Sequence, residues 1–259
     1  MTSIELNAIG CIATPFKEKF GIPRQSGLCL KATGVIELAA NQDSRDGIMG
    51  LEVGSSIWLI FQFNGVAECS TKYSVRPPRL GGQKKAGVWA TRSPHRPNRL
   101  GLSLVALEKI ENSKEGIKLH VRGVDLLDGT PILDIKPYLA YADRCDSTSP
   151  SWLAEQQFKK IEKISFSDAA NEELKAAGED FKILLEELLE HDPRPAHQRE
   201  LDKEFSFQLA DYNKEIPRST VGVFQQTHLA LLAPLLWHRR DGWPLLQRAV
   251  GLQDHHQLN

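Results

Sequence analysis

The ten residues 125–134 (DLLDGTPILD) carry three carboxylates, Asp125, Asp128 and Asp134, around a turn pair, Asp128-Gly129. Asp125 could cap that turn, because short acidic side chains hydrogen-bond backbone two residues on. Asp134 is different, since it sits between Leu133 and Ile135 and just before Lys136. A carboxylate inside an apolar strand must be paired, hydrogen-bonded or raised in pKa. It therefore reads either as an ion-pair partner of Lys136 or a nearby arginine, or as a general base. Taken together, the three acids could also hold a metal ion for a hydrolysis.

A second constellation is basic. Residues 69–107 hold eight cations, Lys72, Arg76, Arg79, Lys84, Lys85, Arg92, Arg96 and Arg99, and no acid, where the chain average would place about five. The segment is rich in Pro and Gly, and loops held on a rigid scaffold commonly carry binding residues. Arginine forks and lysine charges suit phosphate. The same run could equally be a solvated face, or a surface for the protein's own acid-rich segment: residues 150–192 hold eleven acids against five bases.

These residues need a scaffold, and up to about residue 141 the chain reads as short strands. Residues 4–13, 35–40, 58–63, 88–91, 102–110 and 117–123 are apolar or alternating runs separated by Gly, Pro and Asn. In the last of them Ile117, Leu119 and Val121 point inward; in 102–110, Leu102, Leu104 and Ala106 share one face, with Val105 and Leu107 on the other. No long helical period separates the runs, so an antiparallel sheet or barrel is expected. A Ser/Thr/Pro linker, 143–151, follows, then a mixed stretch to 165. A helix is predicted over 168–190, N-capped by Ser167, with Leu174, Ala177, Phe181, Leu184, Leu185 and Leu188 on one stripe. The Pro-containing 191–195 ends it, and 205–209 reads as a strand. The domain boundaries expected are 1–145 for a β domain and 150–216 for a smaller α+β domain. Residues 217–259 show no clear period and read as a divergent, poorly specified tail.

The chain has 259 residues, 32 Lys+Arg, 33 Asp+Glu and a formal charge of −1, an ordinary globular balance that leaves the two charged segments to define any polyanion partner. No run of about eighteen apolar residues suggests a membrane span, and residues 1–10 lack the pattern of a secretory signal. Cys11, Cys29, Cys69 and Cys145 are scattered, with no Cys-x-x-Cys spacing, so a cytoplasmic protein without a structural metal is expected. The chain contains no P-loop, no Gly-x-Gly-x-x-Gly after a strand, no Gly-x-Ser-x-Gly elbow and no His-Glu-x-x-His. The common dinucleotide and methyl-donor crevice is therefore absent.

The motifs PRQ (23–25), VRPPRLGG (75–82), GVWATRS (87–93), RPN (96–98), DLLDGTPILDIKPY (125–138) and DPRP (192–195) are similar, in order, to those of the TsaA-like (YaeB) family. That family comprises S-adenosylmethionine-dependent tRNA methyltransferases acting on threonylcarbamoyladenosine beside the anticodon, at position 37. The resemblance runs over about 4–216 and implies a mainly β protein, a single-sheeted antiparallel β-barrel with a smaller α+β C-terminal domain. It implies a homodimer, with the donor bound near the subunit interface. It also implies donor-binding roles for Pro23, Arg24, Gln25, Asn64, Gly65, Arg92, Leu102, Leu126, Leu127, Asp128 and Gly129. Asn64 stands where relatives often carry His. On this reading Asp134 and Tyr138 are the candidates for removing the acceptor N–H proton, and Arg92, Arg96 or Arg99 for pairing with the threonyl carboxylate. Lys72, Arg76, Arg79, Lys84, Lys85 and Arg194 would then follow tRNA phosphates. The rival reading is a non-catalytic RNA-binding or regulatory barrel that uses the same basic loop.

Overall fold

The computed structural model describes residues 3–66, 71–77, 84–145, 161, 164–194, 205–209, 219–223 and 230–234. In chain order the first elements are β1 (Gly10–Ala13), β2 (Thr33–Leu38), α1 (Gln42–Gly47), β3 (Ser56–Gln62), β4 (Ser74–Val75) and β5 (Ala86–Gly87). Then come β6 (Leu100–Asn112), β7 (Ile117–Arg122), β8 (Thr130–Pro137) and α2 (Ala140–Asp143). The C-terminal part holds α3 (Asp168–Ala177), α4 (Glu179–Glu190), β9 (Phe205–Leu209), β10 (Ser219–Val223) and β11 (Ala230–Pro234).

Six strands close an antiparallel barrel in the order β1-β2-β7-β6-β3-β8, with β8 returning to β1. Period-two alternation makes this possible, because each strand sends every second side chain inward. Ile57, Leu59 and Phe61 of β3 meet Val105 and Leu107 of β6 and the Ile117, Leu119, Val121 set of β7 in the interior. Each such side chain contributes about 1.5–3 kcal/mol when taken fully from water. The expected inward set on β7 is as read from sequence, and on β6 it is the Val105, Leu107 face that is buried.

Three expectations change. The 88–91 run is a single 3-10 turn, Val88–Ala90, anchored by the buried Val88. The first strand is confined to Gly10–Ala13. The helix over 168–190 is two helices, broken at Gly178, whose φ of 98° lies where only glycine is comfortable. Ser167 caps α3 as expected, accepting from the Ala170 N–H at 3.2 Å. The linker beyond 145 and nearly all of 152–165 lie outside the described residues.

In the C-terminal part β9, β10 and β11 form an antiparallel sheet in the order β11-β10-β9. Two of its strands come from the stretch whose sequence shows no period, and residues 235–259 lie outside the described ones. This sheet is not a separate body. Leu209 bridges Phe16, Phe20 packs on Phe205 and Phe207 at 6.0 and 5.9 Å between ring centres, and one apolar cluster runs from the barrel to α4.

Candidate functional site

A cavity of about 570 Å³ opens where β3 and β6 meet the segment 23–25 and the loop 91–96. Its apolar wall is Ile60, Phe61 and Phe63, the two rings edge-to-face at 5.1 Å. Phe61 reaches across β6 because its partner in register is Gly101: a Cβ there would lie 2.2 Å from the Phe61 ring. A larger hollow, about 660 Å³, lies against α3 and α4, but its Glu172 and Lys175 are already paired with each other.

The polar side of the first cavity is a chain of contacts. Arg24 Nη2 donates to the carbonyls of Asp192 and Arg194, at 3.0 and 2.9 Å. The Gln25 amide bonds the Arg24 carbonyl, and its oxygen accepts from Arg92 Nη1 at 2.5 Å. Asp125 accepts from the Ser103 hydroxyl at 2.5 Å. Burial pushes the Asp125 carboxyl above its ordinary pKa, against the opposing pull of that hydroxyl, of the Ser26 and Asp125 backbone and of the Arg92 charge. Ser26 Oγ in turn accepts from the Leu104 N–H. Arg96 holds the loop by donating to the Thr91 and Ser93 carbonyls. Arg99, in the left-handed region at φ 51°, donates to the Val66 carbonyl.

Pro23, Arg24, Gln25, Arg92 and Leu102 all line this one cavity. The remaining expected donor residues form an adjoining cluster. Asp128 accepts from the Thr14 N–H at 2.9 Å and pairs with Lys17 at 2.7 Å, while Asn64 accepts from the Thr130 hydroxyl at 3.1 Å. Gly65 abuts Leu127, Gly129 donates to the Ile12 carbonyl, and Leu126 is buried in the core. The two groups are joined by consecutive residues, Phe63 to Asn64 and Asp125 to Leu126, rather than by a shared wall.

Asp134 is not the enclosed carboxylate expected. The register of β8 against β3 slips between Ile60 and Phe61, so Leu133 is an extra residue and the faces of β8 exchange beyond it. Ile135 then packs on the core and Asp134 turns outward, accepting from the Ile135 N–H. Tyr138 packs on Trp58 at 6.2 Å. Neither lines the cavity. Arg194 also departs from its expected place on the tRNA-facing side: it is 5% exposed and locked to Asp192 at 2.8 Å. Lys72, Arg76, Lys84, Lys85 and Arg92 are exposed, Arg96 and Arg99 half-buried, and Arg79 lies outside the described residues.

Sequence reasoning passed over Asp125, Ser103, Phe61 and Phe63 as cavity residues. The signal for the phenylalanines was present in the aromatic run of β3 above Gly101. Asp125 was read only as a turn cap or a metal ligand, because the Ser103 hydroxyl that it accepts from lies 22 positions away. Among the described residues no cluster of three metal-binding side chains occurs, and no helix is long and apolar enough to cross a membrane.

Comparison with known proteins places these features in a family. Residues 11–144 match the tRNA-methyltransferase O N-terminal domain, and residues 159–215 match the TrmO C-terminal domain. An Escherichia coli tRNA (adenine(37)-N6)-methyltransferase is 38% identical over 218 residues, covering 82% of this chain and 92% of that one. A probable S-adenosyl-L-methionine-binding protein of Pyrococcus abyssi is 37% identical over 155 residues, 60% of this chain and 78% of its own length. A crystal structure of TrmO from Pseudomonas aeruginosa superposes with a TM-score of 0.69 at 32% identity, over 90% of this chain and 97% of that one.

Proposed function

This chain belongs to the tRNA-methyltransferase O family, and we propose that it transfers the methyl group of S-adenosylmethionine to N6 of the adenosine at tRNA position 37. The observation that carries the reading is the cavity in which Pro23, Arg24, Gln25, Arg92 and Leu102 meet an aromatic wall and one enclosed carboxylate. Its volume is that of an ordinary small-molecule site. Its groups suit the donor: Phe61 and Phe63 offer apolar faces to an adenine, and the guanidinium groups of Arg24 and Arg92 offer positive charge to a carboxylate.

The donor supplies a methyl group on a cationic sulfur, ready for in-line displacement. This chain's part is first to position. Holding the reacting groups in line can supply roughly 7–11 kcal/mol of the barrier. Its second part is to take the acceptor proton. Asp125 is the carboxylate inside the cavity, so it takes the role expected from sequence of Asp134 and Tyr138. Its raised pKa brings it toward the working pH of a general base.

The acceptor is threonylcarbamoyladenosine in this proposal. A carbamoyl group on N6 makes the remaining N–H more acidic, and its threonyl carboxylate finds Arg96 at the cavity wall. The barrel, about 1–145, carries donor and chemistry, the 150–216 domain supports it, and the exposed cations of 72–92 follow the tRNA backbone. The active form is a cytoplasmic homodimer. Methyl label from S-adenosylmethionine should enter threonylcarbamoylated tRNA and spare tRNA lacking that group. Equal labelling of both would remove the substrate assignment, and no labelling of either, with no donor-induced rise in melting temperature, would leave the non-catalytic reading.

A further inference from the structure

Two large aromatic rings stand outside the cavity and have no part in the chemistry above. Tyr73 is 64% exposed and Trp89 is 76% exposed, yet they touch each other edge-to-face at 6.0 Å. Their backbone is fixed. Strands β4 and β5 pair directly between them, the Val88 N–H continues that ladder to the Tyr73 carbonyl at 3.0 Å, and the Lys72 N–H bonds the His95 carbonyl at 2.9 Å. Val88, next to Trp89, is 1% exposed and pins the turn. The arm thus spends its small apolar residue on anchoring and presents its two largest rings to solvent, the reverse of ordinary burial.

What surrounds the rings narrows the partner. Lys72 adjoins Tyr73, Arg76 follows β4, Lys84 and Lys85 precede β5 and Arg92 follows Trp89; all five are exposed. No acid occurs anywhere in residues 69–107. A second copy docked ring-to-ring here would set like charges against each other, which costs rather than gains. Unpaired nucleotides fit both features, since their phosphates meet the cations and every base offers a π-face.

We propose that Tyr73 and Trp89 form a stacking platform for unpaired bases of the tRNA anticodon loop, with Lys72, Arg76, Lys84 and Lys85 on the adjoining phosphates. This rests on the tRNA reading above and says which part of the tRNA the arm meets: a loop, because the bases of a closed stem present no free faces. The rings therefore add selectivity for loop over stem, and the cations add affinity common to both.

The test is fluorescence anisotropy with a labelled anticodon stem-loop RNA and, separately, a blunt duplex of the same stem. Trp89→Ala should weaken stem-loop binding about tenfold, as expected for loss of one stacked base, with duplex binding and melting temperature unchanged. Tyr73→Ala should act in the same direction, and Trp89→Phe should restore most of the binding. The slope of log affinity against log salt should stay at the wild-type value in all three, whereas Lys84→Ala should lower it by about one phosphate contact. Unchanged stem-loop binding in both alanine variants would overturn the platform. So would an equal loss on stem-loop and duplex, or a shift of Trp89→Ala to a smaller oligomer, which would assign the rings to a subunit contact. Failure of the wild-type protein to bind the stem-loop at all would instead remove the tRNA reading beneath it.

Discussion

Asp125→Asn separates chemistry from stability at one position. In the folded protein the Asp125 pKa is raised from the ordinary 3.8, chiefly by burial. A raised carboxylate pKa means that the folded state prefers the protonated form. Below 3.8 both folded and unfolded states are protonated, and the group contributes nothing. As pH rises from there through the folded pKa, a penalty for holding the buried anion grows, and it is complete above that value. Asparagine has nearly the same shape, keeps an oxygen for the Ser103 hydroxyl now at 2.5 Å, and carries no charge. The variant should therefore be at least as stable as the parent at pH 7, with the gain disappearing toward pH 3. If Asp125 accepts the N6 proton, single-turnover methyl transfer should fall by about 10²–10⁴, or about 3–5 kcal/mol at 1.36 kcal/mol per decade. In the parent, the acid limb of the pH–rate profile should lie above the usual carboxylate range, and Ser103→Ala should move it higher by removing a hydrogen bond that favours the anion. Thermal melts from pH 3 to 8 and rapid-quench methylation measure the two sides. A stability loss at pH 7 matching the activity loss would refute the argument, and so would an acid limb near 3.8.

Arg194→Ala should destabilise the protein by about 1.5–3 kcal/mol, because the buried Asp192 carboxylate loses its charge-assisted bonds from the Arg194 guanidinium; thermal unfolding measures this, and weaker tRNA binding at an unchanged melting temperature would instead make the residue a phosphate contact. Gly101→Ala should force the Phe61 ring aside, at a cost of about 1–3 kcal/mol, and should reduce the melting-temperature rise given by saturating S-adenosylmethionine. A full donor-induced rise in that variant would show that the aromatic wall does not contact the donor.

The barrel was legible because its information is local. Alternation in 117–123 names its own inward face, the apolar run of β3 marks a strand without choosing its face, and Ser167 caps its helix through a bond to Ala170 three residues on. The features that were not legible depend on residues distant in sequence or on irregular backbone. Asp134 was read as enclosed because it lies between the apolar Leu133 and Ile135; the extra residue at Leu133 turns it outward, and nothing in the apolar string marks that bulge. Gly178 was passed over because the hydrophobic stripe continues on both sides of it. Arg194 was read as a phosphate contact because its pairing with Asp192, only two residues away, comes with a φ of 45° at Asp192, a conformation its sequence neighbours do not announce. The residues of the 126–129 turn were grouped with Arg24 and Arg92 by the family resemblance of their motifs, and the fold sets that turn beside the cavity, with Asp128 on its own contacts with Thr14 and Lys17.

The position of Arg24 links the two halves of the molecule. This side chain lines the barrel's cavity, yet the carbonyls that hold it belong to Asp192 and Arg194, 168 and 170 positions away. Those carbonyls are in place because the Asp192–Arg194 pair locks the turn after α4, and α4 is in place because Phe181, Leu184, Leu185, Leu188 and Leu189 share the barrel's apolar cluster. Each contact is a local one, but they act in series. A cavity built by the barrel alone would lack these two bonds, and more of the side-chain entropy lost in ordering an arginine, up to about 1.5–2 kcal/mol, would then fall on ligand binding. With the C-terminal turn bonded to it, that cost is met on folding, before any ligand arrives. The turn after α4 therefore needs no side chain in the cavity to shape it: it acts by holding the Arg24 guanidinium that lines the cavity wall.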